Sequence, residues 1–233
     1  MTQATATILD RRTMLRGIAA GTASVGLAGC STLGGFGWGP IDAIRNLLLL
    51  SAERTFAALT EPGGWYDGQI AKLGLANVLG NRGGVLQSIL TSGIVKDRLE
   101  REFAMIAVEG AERAAPVVYD TVRTIGIGNA IALVTGGRTA ATGFLRNNMG
   151  QSLIEVMVPE IGDAMRISRE PVVGQLLSAL SGVDIERTVG NFAREADDAI
   201  WNQMGIEEGL IRDNPRLSND PAIIAVLGAS GGY

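Results

Sequence analysis

PIDAIRNLLLLSAERTFAAL, residues 40–59, decides the fold class. Ile41, Ile44, Leu47, Leu48, Ala52, Phe56 and Leu59 recur every three or four residues. That spacing lines one face of an α-helix, whereas a half-buried strand would alternate at every second residue. Pro40 suits the first helical turn, where its missing N–H is no loss. Glu61-Pro62-Gly63-Gly64 then stops the helix.

The same period continues downstream. Val85 to Leu90 reads as a short helix and Val95 to Ala115 as a longer one, with Leu99, Phe103, Ile106 and Gly110 on one side. Its other face pairs Asp97 with Arg101 and Arg98 with Glu102 at i,i+4. Pro116 restarts or kinks that helix. Further helices are predicted over 129–135, 138–148, 151–166, 170–181, 184–204, 206–213 and 220–227, separated by Gly or capped by Asn, Asp or Ser. Residues 61–84 are Gly-rich, carry Trp65-Tyr66 and a short apolar piece from Ile70 to Leu79, and receive no assignment. No stretch shows hairpin turns between alternating runs. The expectation is an all-α single domain over 41–228, with about eight to ten short-to-medium helices around one core, and a tail at 229–233.

Upstream of this domain, the chain reads as an address. Arg11-Arg12-Thr13-Met14-Leu15-Arg16 has the order of a twin-arginine export signal, although Asp10 stands where Ser or Thr is usual. The following run, Gly17 to Gly29, is too short and too rich in Gly and Ala to span a bilayer. It ends in Leu27-Ala28-Gly29-Cys30, which resembles the lipobox of bacterial lipoproteins. Residues 1–29 are therefore expected to be a signal peptide, and Cys30 the acylated first residue of the mature chain. As the chain's sole cysteine, Cys30 would be consumed by acylation, leaving no thiol or disulfide. Residues 30–40, with Gly34, Gly35, Gly37 and Gly39, form the tether. Attachment by two or more acyl chains is stable. Location in the cell envelope follows, lipid-anchored and facing the periplasm, with the non-acidic Ser31 favouring the outer membrane.

Composition narrows the function classes. Three Arg and one Asp leave with residues 1–29, so the net charge moves from −4 to −6. That balance argues against nucleic acid and against electrostatic adhesion to anionic lipid. The chain has no histidine, which removes Ser-His-Asp and Cys-His nucleophile activation and the usual zinc sites. No metal and no cofactor is expected. Gly136-Gly137-Arg138-Thr139 lacks the ending of a P-loop, and Gly126-Ile127-Gly128 lacks the third glycine of a dinucleotide turn.

From Pro116 onward, blocks of sequence carry a resemblance. They are Pro116-Val117-Val118-Tyr119-Asp120, Asn129 to Gly137, Ala140-Ala141-Thr142-Gly143-Phe144-Leu145-Arg146, Leu153 with Pro159, and Ile211-Arg212-Asp213-Asn214-Pro215. Together the chain resembles the bacterial family known as domain of unknown function 4197, whose members often begin as lipoproteins. The likeness runs over about 96–228 and more loosely over 41–95. It implies the helical fold and the envelope address, and no particular activity. Where relatives carry a polar Asn-(Lys/Arg)-Ala-Ala-Glu element, this chain has Ala104-Met105-Ile106-Ala107-Val108. Phe144-Leu145 and Asn148-Met149 likewise replace Tyr-Phe and Thr-Thr.

Two polar readings compete. Thr142 and Arg146, i,i+4 on one helix, with Arg212 and Asn214, form a candidate polar patch for an anion, arginine offering a fork of donors. Alternatively Thr142 bonds its own backbone, Asn214 caps a helix, and Arg212 pairs with Glu208. The doublets Asp197-Asp198 and Glu207-Glu208 point ~100° apart and read as solvated. Trp201 reads as core. The function expected is a non-catalytic helical domain that binds an apolar small molecule or another envelope protein. The alternative is a carboxylate-dependent hydrolase of an envelope polymer, using two of Glu109, Glu112, Asp120, Glu155, Glu195 and Asp198.

Overall fold

Apolar positions at helical spacing set the fold, which a computed structural model describes for residues 38–61, 93–169, 171, 173, 174, 177 and 182–230. These residues contain seven α-helices, one 3-10 helix and no strand. The count is slightly below eight to ten. Helix α1 is Pro40–Thr60, α2 Gly93–Thr124, α3 Ala130–Val134, α4 Ala140–Met149, α5 Ser152–Ile167, α6 Gly182–Asp213 and α7 Pro221–Ser230. The 3-10 helix, Pro215–Ser218, joins α6 to α7. The helix read over Val85 to Leu90, the segment 61–84 beyond Glu61, and the address at residues 1–29 with Cys30 lie outside the described residues, as does most of 170–181.

Helix α1 buries Ile44, Leu47, Leu48, Ala52, Phe56 and Leu59, while Ile41 remains exposed. It packs on α2 and α6, and α2 packs on α5. Across the centre, Phe103 of α2 meets Phe192 of α6 edge-on, with ring centroids 4.9 Å apart. Phe56 of α1 meets Tyr119 of α2 in the same way at 5.9 Å. Such edge-on pairs add about 0.5–1.5 kcal/mol beyond the area they bury.

Two long helices differ from the sequence reading. Helix α2 runs unbroken past Pro116. Both Pro116 and Glu112 lie on its exposed side, so the Glu112 carbonyl that loses its intrahelical donor faces water. Helix α6 runs unbroken through Gly205, in place of the break expected between 184–204 and 206–213. Gly205 is there for closeness. A Cβ on it would stand 3.1 Å from Cγ2 of Thr139, and one on Gly209 3.1 Å from the Arg138 guanidinium. These glycines let the turn before α4 lie directly on α6.

Candidate functional site

Of the polar residues singled out in sequence, Thr142, Arg146 and Arg212 lie along the seam between α4 and α6. Glu208 is fully buried. Its Oε1 accepts from the Ala141 N–H at 3.0 Å and its Oε2 from the Thr142 N–H at 2.6 Å. It thereby caps the α4 N-terminus, whose first N–H groups have no partner within the helix. Arg212, one turn along, donates Nε to Glu208 at 2.7 Å. Its other nitrogens reach the carbonyls of Leu133 at 2.8 Å and Val134 at 3.1 Å, at the end of α3. One ion pair therefore closes the C-terminus of one helix and the N-terminus of the next.

Arg146 faces a second cluster. Its guanidinium bonds Asp198 and, at 3.2 Å, Asp197. Asp197 also accepts from the Trp201 indole N–H at 2.9 Å. Asp197 and Trp201 are buried, whereas the Arg146 side chain is 40% exposed. Burial pushes the Asp197 carboxyl above its usual value, against the Trp201 bond and the Arg146 charge, which pull it down.

The sequence-singled residues thus divide. Thr142 and Arg212 meet through Glu208, and Arg146 turns to Asp197 and Asp198. Asn214 stands exposed at the start of the 3-10 helix, where its side chain makes no cap bond. The Thr142 hydroxyl does not bond its own backbone: it is buried without a partner. Arg212 does pair with Glu208 as read. The doublets are corrected. Asp197 and Glu208 are buried, and only their neighbours Asp198 and Glu207 reach solvent. A turn of ~100° per residue places one member of each doublet on the buried stripe of α6 with Trp201, Met204 and Ile211. That register was the signal available in sequence.

The six carboxylates named for hydrolysis sit on α2, α5 and α6, and all but the half-buried Glu195 are exposed. Asp120 pairs with Arg123 at 3.1 Å. None of the six lines the open cleft of about 290 Å³ between α1 and the start of α7. That cleft is bordered by Asn46, Leu50, Glu53, Ser218 and Asp220. Asp220 caps α7 through the Ala222 and Ile223 N–H groups and accepts from Asn46 at 2.9 Å. Among the described residues no group of three acidic side chains is placed to hold a metal ion, and no helix is long and apolar enough to cross a membrane.

Comparison with known proteins returns one family, described as Protein of unknown function (DUF4197), over residues 40–228. No curated protein and no solved structure matches.

Proposed function

The chain belongs to the DUF4197 family, and on that premise we propose that it is a lipid-anchored cell-envelope protein whose helical domain binds or scaffolds rather than catalyses. One observation carries the preference for binding. The buried charges on the α4–α6 seam, Glu208, Arg212 and Asp197, are all engaged in holding helices together. Drawing such a group onto a substrate would cost the contacts by which it holds the fold. The anchor rests on Arg11-Arg12 and on Leu27-Ala28-Gly29-Cys30.

A palmitate analogue fed to cells should label the wild type and not Cys30→Ala; equal labelling removes the lipoprotein reading. Replacing Arg11 and Arg12 by lysines should retain the protein in the cytoplasm if export is by the twin-arginine route. Native mass spectrometry of the purified chain then tests binding directly, through a bound species that survives desalting.

Hydrolysis is the second reading, and Asp197 is what favours it. A hydrolase pairs a carboxyl of raised pKa with a second carboxylate, and Asp197 lies beside Asp198. Arg146 holds both, and the Trp201 indole holds Asp197. Degradation of purified cell-wall polymer by the wild type and not by Asp197→Asn would reverse the order of the two readings.

A further inference from the structure

Among the runs of the chain without a charged residue are 31–41, 124–137 and 221–233. Their described parts belong to one end of the domain. Arg45 Nε donates to the Val122 carbonyl at 3.3 Å, and Asn46 Nδ2 donates to Asp220 at 2.9 Å. These bonds pin the end of α2 and the start of α7 to the second turn of α1. Helix α3 follows α2 closely in sequence and packs against both α1 and α7. Trp38, Ile41 and Ile131 are left exposed there, at 48%, 45% and 68%. Of the charges that border this end, Asp42, Arg45 and Asp220 turn back onto the protein, and Arg123 stays exposed, neutralised by Asp120. Asp42 accepts from the Gly39 N–H, Arg45 donates to Val122, Arg123 pairs with Asp120, and Asp220 caps α7.

We propose that this uncharged end is a lipid-docking face, lying on the same bilayer surface that the Cys30 acyl chains enter. The inference rests on the lipid-anchor reading above. From Cys30 to Trp38 the chain is eight residues, which extend to at most about 29 Å. A tether that short holds the face near lipid at an effective concentration of order mM, so a patch too weak to bind alone is engaged once anchored. Tryptophan prefers the membrane–water interface, where its apolar ring and its N–H are both accommodated. No Lys or Arg projects from these segments, so attraction to anionic headgroups is not the force that seats them. Met105 is equally apolar and 57% exposed, yet it lies seventeen residues before Val122 on α2, about 25 Å along the helix. It is the internal control.

Acylation consumes Cys30, so Ile41→Cys, Ile131→Cys and Met105→Cys each supply a single free thiol for a nitroxide label. The acylated protein is placed in neutral phosphatidylcholine vesicles, and access of the label to oxygen and to a water-soluble nickel chelate is measured. Labels at 41 and 131 are expected to move from water-like to lipid-like accessibility, equally at low and high salt, while the label at 105 stays in water. Ile131→Ser should return the label at 41 to water without detaching the protein. Acylated protein whose labels at 41 and 131 remain as wet as that at 105 overturns docking and leaves the anchor intact. A chain that takes up no palmitate overturns the anchor, and this inference with it. Broadening between labels at 131 on separate molecules, in the absence of vesicles, would show a second copy covering the face, and would also overturn it.

Discussion

Two charged clusters lie on α6 about three turns apart, and they are built to different standards. Around Glu208 and Arg212 every contact leads to a helix end: two N–H groups of α4 and two carbonyls of α3. Around Asp197 the partners are side chains, Trp201 and a half-exposed Arg146 that also serves the solvent-facing Asp198. The first cluster replaces intrahelical hydrogen bonds that α3 and α4 cannot make for themselves. The second anchors one helix face against another. Burial alone does not separate them, because Glu208 and Asp197 are both buried. The difference is how many backbone groups depend on each.

Breaking the first cluster should therefore have the largest effect. Arg212→Met leaves Glu208 charged in the interior, a loss of about 3–5 kcal/mol in urea unfolding. A second substitution sharpens the point. For a simple buried pair, replacing both members by apolar residues restores stability. Here Arg212→Met with Glu208→Leu should stay well below wild type, because the Ala141 and Thr142 N–H groups and the Leu133 and Val134 carbonyls lose their partners. Full recovery in the double variant would mean that the pair serves only itself.

The second cluster should be more forgiving. Arg146→Ala removes a partly hydrated ion pair, and Asp197 keeps its indole donor. A loss of about 1 kcal/mol is expected, and one as large as that of Arg212→Met would erase the distinction between the clusters. The smallest effect is a pH dependence. Burial raises the folded-state value of Asp197, so the native protein holds that proton when the unfolded chain has released it. Its contribution is present at low pH, below the unfolded value, and is lost as pH climbs through the raised folded value. Asp197→Asn keeps an acceptor for Trp201 and cannot titrate. Thermal melts from mildly acidic to neutral pH should show part of the wild-type decline disappearing in that variant. An unchanged slope would mean that Asp197 titrates as a solvated carboxyl does.

Much of this fold was legible because burial follows helical period. Six of the seven apolar positions named on α1 are buried, Ile41 being the exception, and Leu99, Phe103 and Trp201 fell where their spacing placed them. Helix continuity was less legible. Pro116 and Gly205 both look like breaks, yet one is harmless on a wet helix face and the other is required by the approach of Thr139. At the seam, the i,i+4 relation of Arg212 to Glu208 was visible, but not what the pair was for. Its other partners lie 66 to 79 residues away in sequence, and no local pattern encodes them.

By itself, then, the sequence determined the all-α class, the run of most helices and the family, because each depends on local spacing and residue type. Tertiary structure decided which charges became interior fixtures. The same Arg or Glu is a solvated side chain or a helix-end partner according to whether a distant helix end arrives with unpaired N–H or C=O groups, as α3 and α4 do at Arg212 and Glu208.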